Sequence, residues 1–417
     1  MRHERKKAMA ELLAPAGNFE KLTAAVLYGA DGVYLSGRMF GMRAAADNFS
    51  VEELKDAVAF AHEHHVRVYL TVNVMPREHE YPLLRTYFQE LREIPIDALI
   101  IADLGVLALA RELLPQVDIH ISTQANVVSS ETCRAYQALG AKRIVLAREL
   151  TMEEIRRIRD AVPDVELEAF IHGSMCISYS GRCLLSNFFT GRDANRGMCT
   201  QPCRWNYRLH GHYELFEEKR PDMPISIEEV NGEAFFMSSR DTCMIEHIPS
   251  LMESGIDSFK IEGRIKSAYY AAVVTNTYRM AMDRYSAGNY VFDPAWRREL
   301  ESVSHRPYHT GYYFDRATEE ANVTDYPGYL RENAYLAIVR SYDERTGVAV
   351  LQQRNKFSVG DHAELLTPGK TGVPFLVDNL QNEQGEAIES VPHPQMLFTL
   401  KMPFAVKPGD ILRAATE

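Results

Sequence analysis

The chain has 417 residues, 46% of them hydrophobic and 25% charged, with a formal net charge of −11. That length supports two domains and a large core. The acidic balance excludes a nucleic-acid coat spread over the whole surface and leaves room only for a local basic patch.

The opening "MRHERKKAMA" is basic but lacks the apolar stretch of a secretory signal. The most apolar window, "ALIIADLGVLALA", is too short to span a bilayer and carries Asp103. A cytoplasmic protein with no membrane association is expected. Structural disulfides are rare there, and clustered cysteines point to a metal or to redox chemistry.

In chain order, "ELLAPAG" (11–17) reads as a strand and "NFEKLTAAVLYGA" as the helix after it. "GVYLS" (32–36) is the next strand. The following helix opens on Ser50, with Glu53 three residues on, a capping box, and Leu54, Ala57, Val58 and Ala61 recur along one face. "RVYLTVN", "ALIIAD", "DIHISTQ", "RIVLA" and "ELEAFIHG" continue the strands. Helical stretches near 81–92, 104–113, 129–139 and 151–160 separate them, the last opening on a second capping box, Thr151 to Glu154. After His172 the alternation breaks. "SRDTCMIEHIPSLMESG" reads as helix, "DSFKIEG" (257–263) as an eighth strand and "SAYYAAVVTNTYRMAMDRY" as a long helix.

Eight β–α repeats with near-continuous apolar strands imply a closed parallel barrel, TIM-like (β/α)8, rather than an open doubly wound sheet. The expected organisation is a barrel over 10–285 with an insertion of about 174–237 after strand seven, and a connector over 286–332. A small β-barrel over 333–417 follows, where short alternating strands lie between turn signals.

Function in such a barrel sits at the C-terminal ends of the strands. The residues there are Gly17, Asn18, Ser36, Asn73, Asp103, Gln124, Arg148, Glu149, His172, Glu262 and Arg264, with Arg43 in the loop after strand two. The arginines suit an anionic small molecule, since guanidinium groups pair with carboxylates in bidentate geometry. Arg43, Asn73, Gln124 and Arg148 are assigned to substrate binding, and His172, Glu262 and Arg264 to the reaction. For any single residue of this rim, a structural salt bridge is the competing role.

The insertion carries the sharper signal. Cys176, Cys183, Cys199 and Cys203 crowd into "HGSMCISYSGRCLLSNFFTGRDANRGMCTQPCRW" (172–205). Buried free thiols fit poorly with so polar and glycine-rich a stretch. Structural zinc usually takes tight C-x2-C pairs, and neither pair has that spacing. Iron–sulfur centres accept wider spacing and rank ahead of zinc. Cys133 reads as helix packing, and Cys243, at the start of a helix, as a reserve ligand. "CRWNYR" (203–208) mixes cations with aromatics, so Arg204, Trp205, Tyr207 and Arg208 suit stacked bases, with a cation–π packing cluster as the alternative.

"EAFIHGSMCISYSGRCLLS", "ELLAPAGNFEKLTAAVLYGADGVYLSG" and "IDSFKIEGRIKS" together resemble the three marks of the collagenase-like U-type peptidase family, U-32. The chain's length, the "GMCTQPCRW" ending of the cysteine stretch and the C-terminal barrel most resemble its tRNA-hydroxylating branch. The resemblance implies a 4Fe-4S cluster on Cys176, Cys183, Cys199 and Cys203, tRNA as partner, and 5-hydroxyuridine at the wobble position as product. It also implies prephenate, a small dicarboxylate, as co-substrate, and it allows a homo-oligomer or a paralogous partner. The competing functions are a peptidase, as the family's name says, and a non-catalytic cluster-binding partner.

Overall fold

In the computed structural model, residues 9–42, 47–205, 238–315 and 333–415 are described, with Leu330 and the backbone of short strands between 214 and 234 and at 322–323. Their described residues divide into two compact units. One comprises Met1–Asn18, Asp31–Ile265 and His305–Tyr329, and the other Phe19–Ala30, Lys266–Ser304 and Leu330–Glu417.

The first unit holds a closed parallel barrel. Its strands are β1 (Glu11–Pro15), β2 (Gly32–Ser36), β3 (Arg67–Val72), β4 (Ala98–Ile101), β5 (Asp118–Ile121), β6 (Arg143–Val145) and β7 (Glu166–Ser174), with Ser258–Ile261 as the eighth. Each pairs with the next in sequence, and the eighth pairs with both β7 and β1, which closes the ring. β1, β2 and β4 are buried at every position, as strands covered on both faces must be.

A recurrent aspartate pins the strands at their N-terminal ends. Asp31, Asp97 and Asp257 each stand just before a strand. Each accepts the backbone N–H of the neighbouring strand, from Leu12 (2.8 Å), Val68 (2.7 Å) and Leu167 (2.8 Å). Both capping boxes form, at Ser50–Glu53 and Thr151–Glu154. No helix among the described residues is long and apolar enough to cross a membrane.

The segment that follows the insertion departs from its expected form. Asp241–Cys243, read as the start of a helix, is a short strand antiparallel to β7, with Cys243 opposite His172. The helix begins only at Ile248, where Pro249 occupies its first turn. Proline is tolerated there because the first N–H groups have no helical partner.

The second unit contains the helices Phe19–Leu27, Ala268–Ser286 and Pro294–Glu301 and a six-stranded antiparallel half-barrel. The sheet order is Val373–Leu376, His362–Leu366, Ile411–Ala414, Tyr335–Asp343, Val348–Gln353, Leu397–Lys401. Its alternating inward residues, among them Leu336, Leu351, Phe398, Leu400 and Leu412, form one core with Phe357.

Candidate active site at the barrel mouth

The C-terminal ends of the strands converge on a small cavity of about 60 Å³. Asn73, Gln124, Arg148, Glu262 and Arg264, all singled out from the sequence, line it together. Tyr34, Thr71, Ser122, Phe170 and Lys260 complete the wall. His172 is buried beside it and not in its wall. Its ring lies 5.3 Å from that of Tyr308, and its carbonyl accepts the Glu262 N–H at 2.9 Å. Arg43 lies outside the described residues.

The wall is pre-ordered. Asn73 donates to Ser122 Oγ (3.2 Å) and accepts from the Met42 N–H (3.1 Å). Arg264, 3% exposed, donates to Thr71 Oγ1 at 3.2 Å. Arg148 lies over the Phe170 ring at 3.9 Å and donates from Nη1 to the Ser174 carbonyl at 2.5 Å. Its Nε–H is buried without an acceptor among the described residues. A buried donor left unsatisfied is costly, and a bound carboxylate would satisfy it.

Lys260, which "KIEGRIKS" (260–267) offers only as one of three cations near the mouth, is a wall residue. It is buried, its ammonium lies over the Tyr34 ring at 4.4 Å, and it donates to Glu168 Oε1 at 2.7 Å. Burial pushes its pKa down, and Glu168 pulls it back. Below it the network continues through Arg143, which pairs with Glu168 (3.2 Å), Glu11 (2.6 Å) and Glu166 (2.8 Å). Burial alone would raise the Glu11 pKa, but Arg143 and Arg67 outweigh it and hold the carboxyl below its ordinary value. Burial keeps His120 neutral beside these cations. The signal was available: strand period two places Ser258, Lys260 and Glu262 on one face.

The cysteine segment after β7 is the lid. Gly181 has φ +72, and a Cβ there would stand 2.1 Å from the Gln124 carbonyl, so only glycine lets the lid backbone approach the mouth this closely. Arg306 forms a buried pair with Asp241 (2.7 Å) and donates to the Met175 carbonyl at 3.3 Å. Arg204 turns to the same carbonyl (3.4 Å) and to Gln201 (2.9 Å), which anchors the lid from inside. Trp205, 37% exposed, donates from Nε1 to the Thr200 carbonyl at 2.9 Å. Tyr207 and Arg208 lie outside the described residues.

All six cysteines are free thiols. Burial raises the Cys203 pKa, Arg204 and Arg306 oppose it, and the charges of Cys176 and Cys199 add to it, so these three share one neighbourhood. The Cys183 carbonyl accepts from Asn195 at 3.2 Å. Among the described residues, however, no three Cys, His, Asp or Glu side chains stand where they could hold a metal ion. The lid thiols match a thiolate-ligated cluster in kind. Cys133 is buried on its helix, where burial pushes its thiol up to about 11. Cys243 is buried on the strand opposite His172.

Ser180, which donates its N–H to Glu149 Oε1 at 2.8 Å, and Arg196 both tie the lid to the barrel. Arg196 pairs with both Glu80 oxygens at 2.8 Å, and these hydrogen bonds hold the Glu80 pKa at about 2, below its ordinary 4.5. Its contribution is therefore complete above pH 4.5 and is lost as the pH falls toward 2. Glu80→Gln is expected to speed tryptic cleavage after Arg182 and Arg192 about threefold at pH 7, the scale of a partly exposed pair. Cleavage at the parent rate would refute the tether.

The profile of peptidase family U32 matches residues 17–323, and that of the family's C-terminal domain matches residues 331–413. The chain is 37% identical over 412 residues to tRNA hydroxylation protein P1 of Bacillus subtilis (strain 168), covering 97% of this chain and 94% of that one. It is 35% identical to tRNA hydroxylation protein P of Escherichia coli (strain K12), with coverage of 92% and 91%. A collagenase of Porphyromonas gingivalis (strain ATCC BAA-308 / W83) is 32% identical, with coverage of 87% of each chain.

Proposed function

The chain belongs to peptidase family U32, and from that premise we propose that it is a tRNA-modifying hydroxylase whose chemistry runs at the barrel mouth. The observation that carries the reading is the match to two tRNA hydroxylation proteins along more than nine-tenths of the chain. The product proposed is 5-hydroxyuridine at the wobble position, and the co-substrate a dicarboxylate of the prephenate type.

Arg148 and Arg264 bind the dicarboxylate, the first through the buried Nε–H that lacks an acceptor among the described residues. Asn73 and Gln124 orient it through their amides. Glu262 is the carboxylate in the wall placed to hold or move a proton at the bound anion. Lys260 is held on Glu168 at 2.7 Å and lines the wall without being consumed. Cys176, Cys183, Cys199 and Cys203 are proposed to close on a four-iron–four-sulfur cluster, which when bound supplies electron transfer. A peptidase reading has the collagenase relative in its favour. A wall that carries Arg148, Arg264, Asn73 and Gln124 suits a small anion better than an extended peptide.

The deciding experiment is mass analysis of tRNA nucleosides from a deletion strain. Loss of 5-hydroxyuridine, restored by the parent gene, is expected. An unchanged nucleoside profile would sink the reading. The anion site has its own test, calorimetric titration with prephenate. Arg148→Ala and Arg264→Ala are each expected to weaken binding about 10- to 100-fold, the scale of a charge-assisted hydrogen bond lost in a buried site. Equal binding by parent and variants would reject both roles.

A further inference from the structure

The lid's outer face carries aromatic surface that the barrel chemistry does not use. The short helix Leu185–Thr190 ends on Gly191 in the left-handed region (φ 69). Phe188 is 82% exposed, Phe189 45% and Trp205 37%. Their rings form a continuous row, Phe188 to Phe189 at 5.3 Å edge-to-face and Phe189 to Trp205 at 6.0 Å. The row is held from beneath: Ser186 Oγ accepts the Thr200 N–H at 3.0 Å, and Thr190 Oγ1 donates to the Ser186 carbonyl at 2.7 Å. An ordered apolar patch left in water marks an interaction surface.

Charge selects the partner. Between Met175 and Trp205 the sequence has four arginines and a single acid, Asp193, in a chain whose net charge is −11. Arg196 is spent on Glu80 and Arg204 on the lid's interior. Arg182 and Arg192 are exposed, and neither forms an ion pair among the described residues. An apolar protein surface docked here would leave both cations uncompensated, whereas a single-stranded RNA loop supplies bases for the rings and phosphates for the arginines.

We propose that Phe188, Phe189 and Trp205 form a stacking platform for unstacked bases of an RNA loop, with Arg182 and Arg192 on its backbone. This rests on the tRNA reading above and adds the surface that presents the loop to the mouth. Two backbone contacts imply a shallow dependence on salt, with a log–log slope of about −1.4.

The test uses the full-length protein, a transcribed tRNA, an RNA hairpin with a single-stranded loop, and a fully paired RNA of equal length. Trp205 is the exposed tryptophan of two, since Trp296 is fully buried. The hairpin is expected to quench Trp205 fluorescence and the paired RNA to leave it unchanged. Phe188→Ala should weaken hairpin binding about 10-fold, Phe188→Leu equally, and Phe188→Tyr less than about twofold, because stacking needs a ring and not bulk. If the parent protein binds no tRNA, the tRNA reading itself fails. If it binds tRNA and the Phe188→Ala/Phe189→Ala variant binds equally well, the platform alone is wrong. If that variant instead changes oligomeric state by light scattering with RNA affinity intact, the face is a protein interface and the proposal is overturned.

Discussion

Lys260→Met is expected to destabilise the barrel by about 3–5 kcal/mol, because it strands a buried carboxylate. Glu168 is fully buried and receives Lys260 at 2.7 Å. Its remaining cation, Arg143, stands at 3.2 Å and is already shared with Glu11 and Glu166. Methionine fills nearly the same volume, so the loss reports the charge and not a cavity. Adding Glu168→Gln should recover most of it, since removing both charges leaves no ion to solvate. Urea unfolding of the parent, the single variant and the double variant at pH 7 measures this. A single variant within about 1 kcal/mol of the parent at pH 7 would show that the network carries no strain of desolvated charge.

Substituting any one of Cys176, Cys183, Cys199 and Cys203 by serine is expected to bring iron and acid-labile sulfide in anaerobically purified protein close to background. 5-Hydroxyuridine in tRNA should be lost in a complemented strain. The expectation rests on four thiols in one lid segment, three of them electrostatically coupled at Cys203, with Arg204 and Arg306 close enough to offset thiolate charge. Cys133→Ser and Cys243→Ser serve as controls, since both thiols are buried in other elements. Iron retained by Cys203→Ser and lost from Cys243→Ser would move the fourth ligand to the strand beside His172. Unchanged iron in all four lid variants would remove the cluster from this protein.

Local patterns were enough to read most of the architecture directly from sequence. The strand cores repeat as short apolar runs, and two helices announce themselves through capping boxes that form as expected. Buried parallel strands and first-turn caps are dictated by neighbours a few residues away, which is why they are legible. The same holds for the polar residues at strand ends: Asn73, Gln124, Arg148, Glu262 and Arg264 meet in one cavity because a closed barrel brings every strand end to a common rim.

Tertiary structure decided the rest. Asp241–Cys243 carries a helix-compatible sequence but pairs with β7, because an exposed strand edge offers hydrogen bonds that local propensity does not count. Arg204 looked outward beside Trp205 and is drawn inward by the Met175 carbonyl. Phe188 and Phe189 are large apolar side chains, and a lid helix too short to bury both faces leaves them in water. Lys260 reads as one more cation near the mouth until Glu168, 92 positions away, becomes its partner. Each of these turns on a contact between residues far apart in the chain, and such contacts exist only once the barrel has closed.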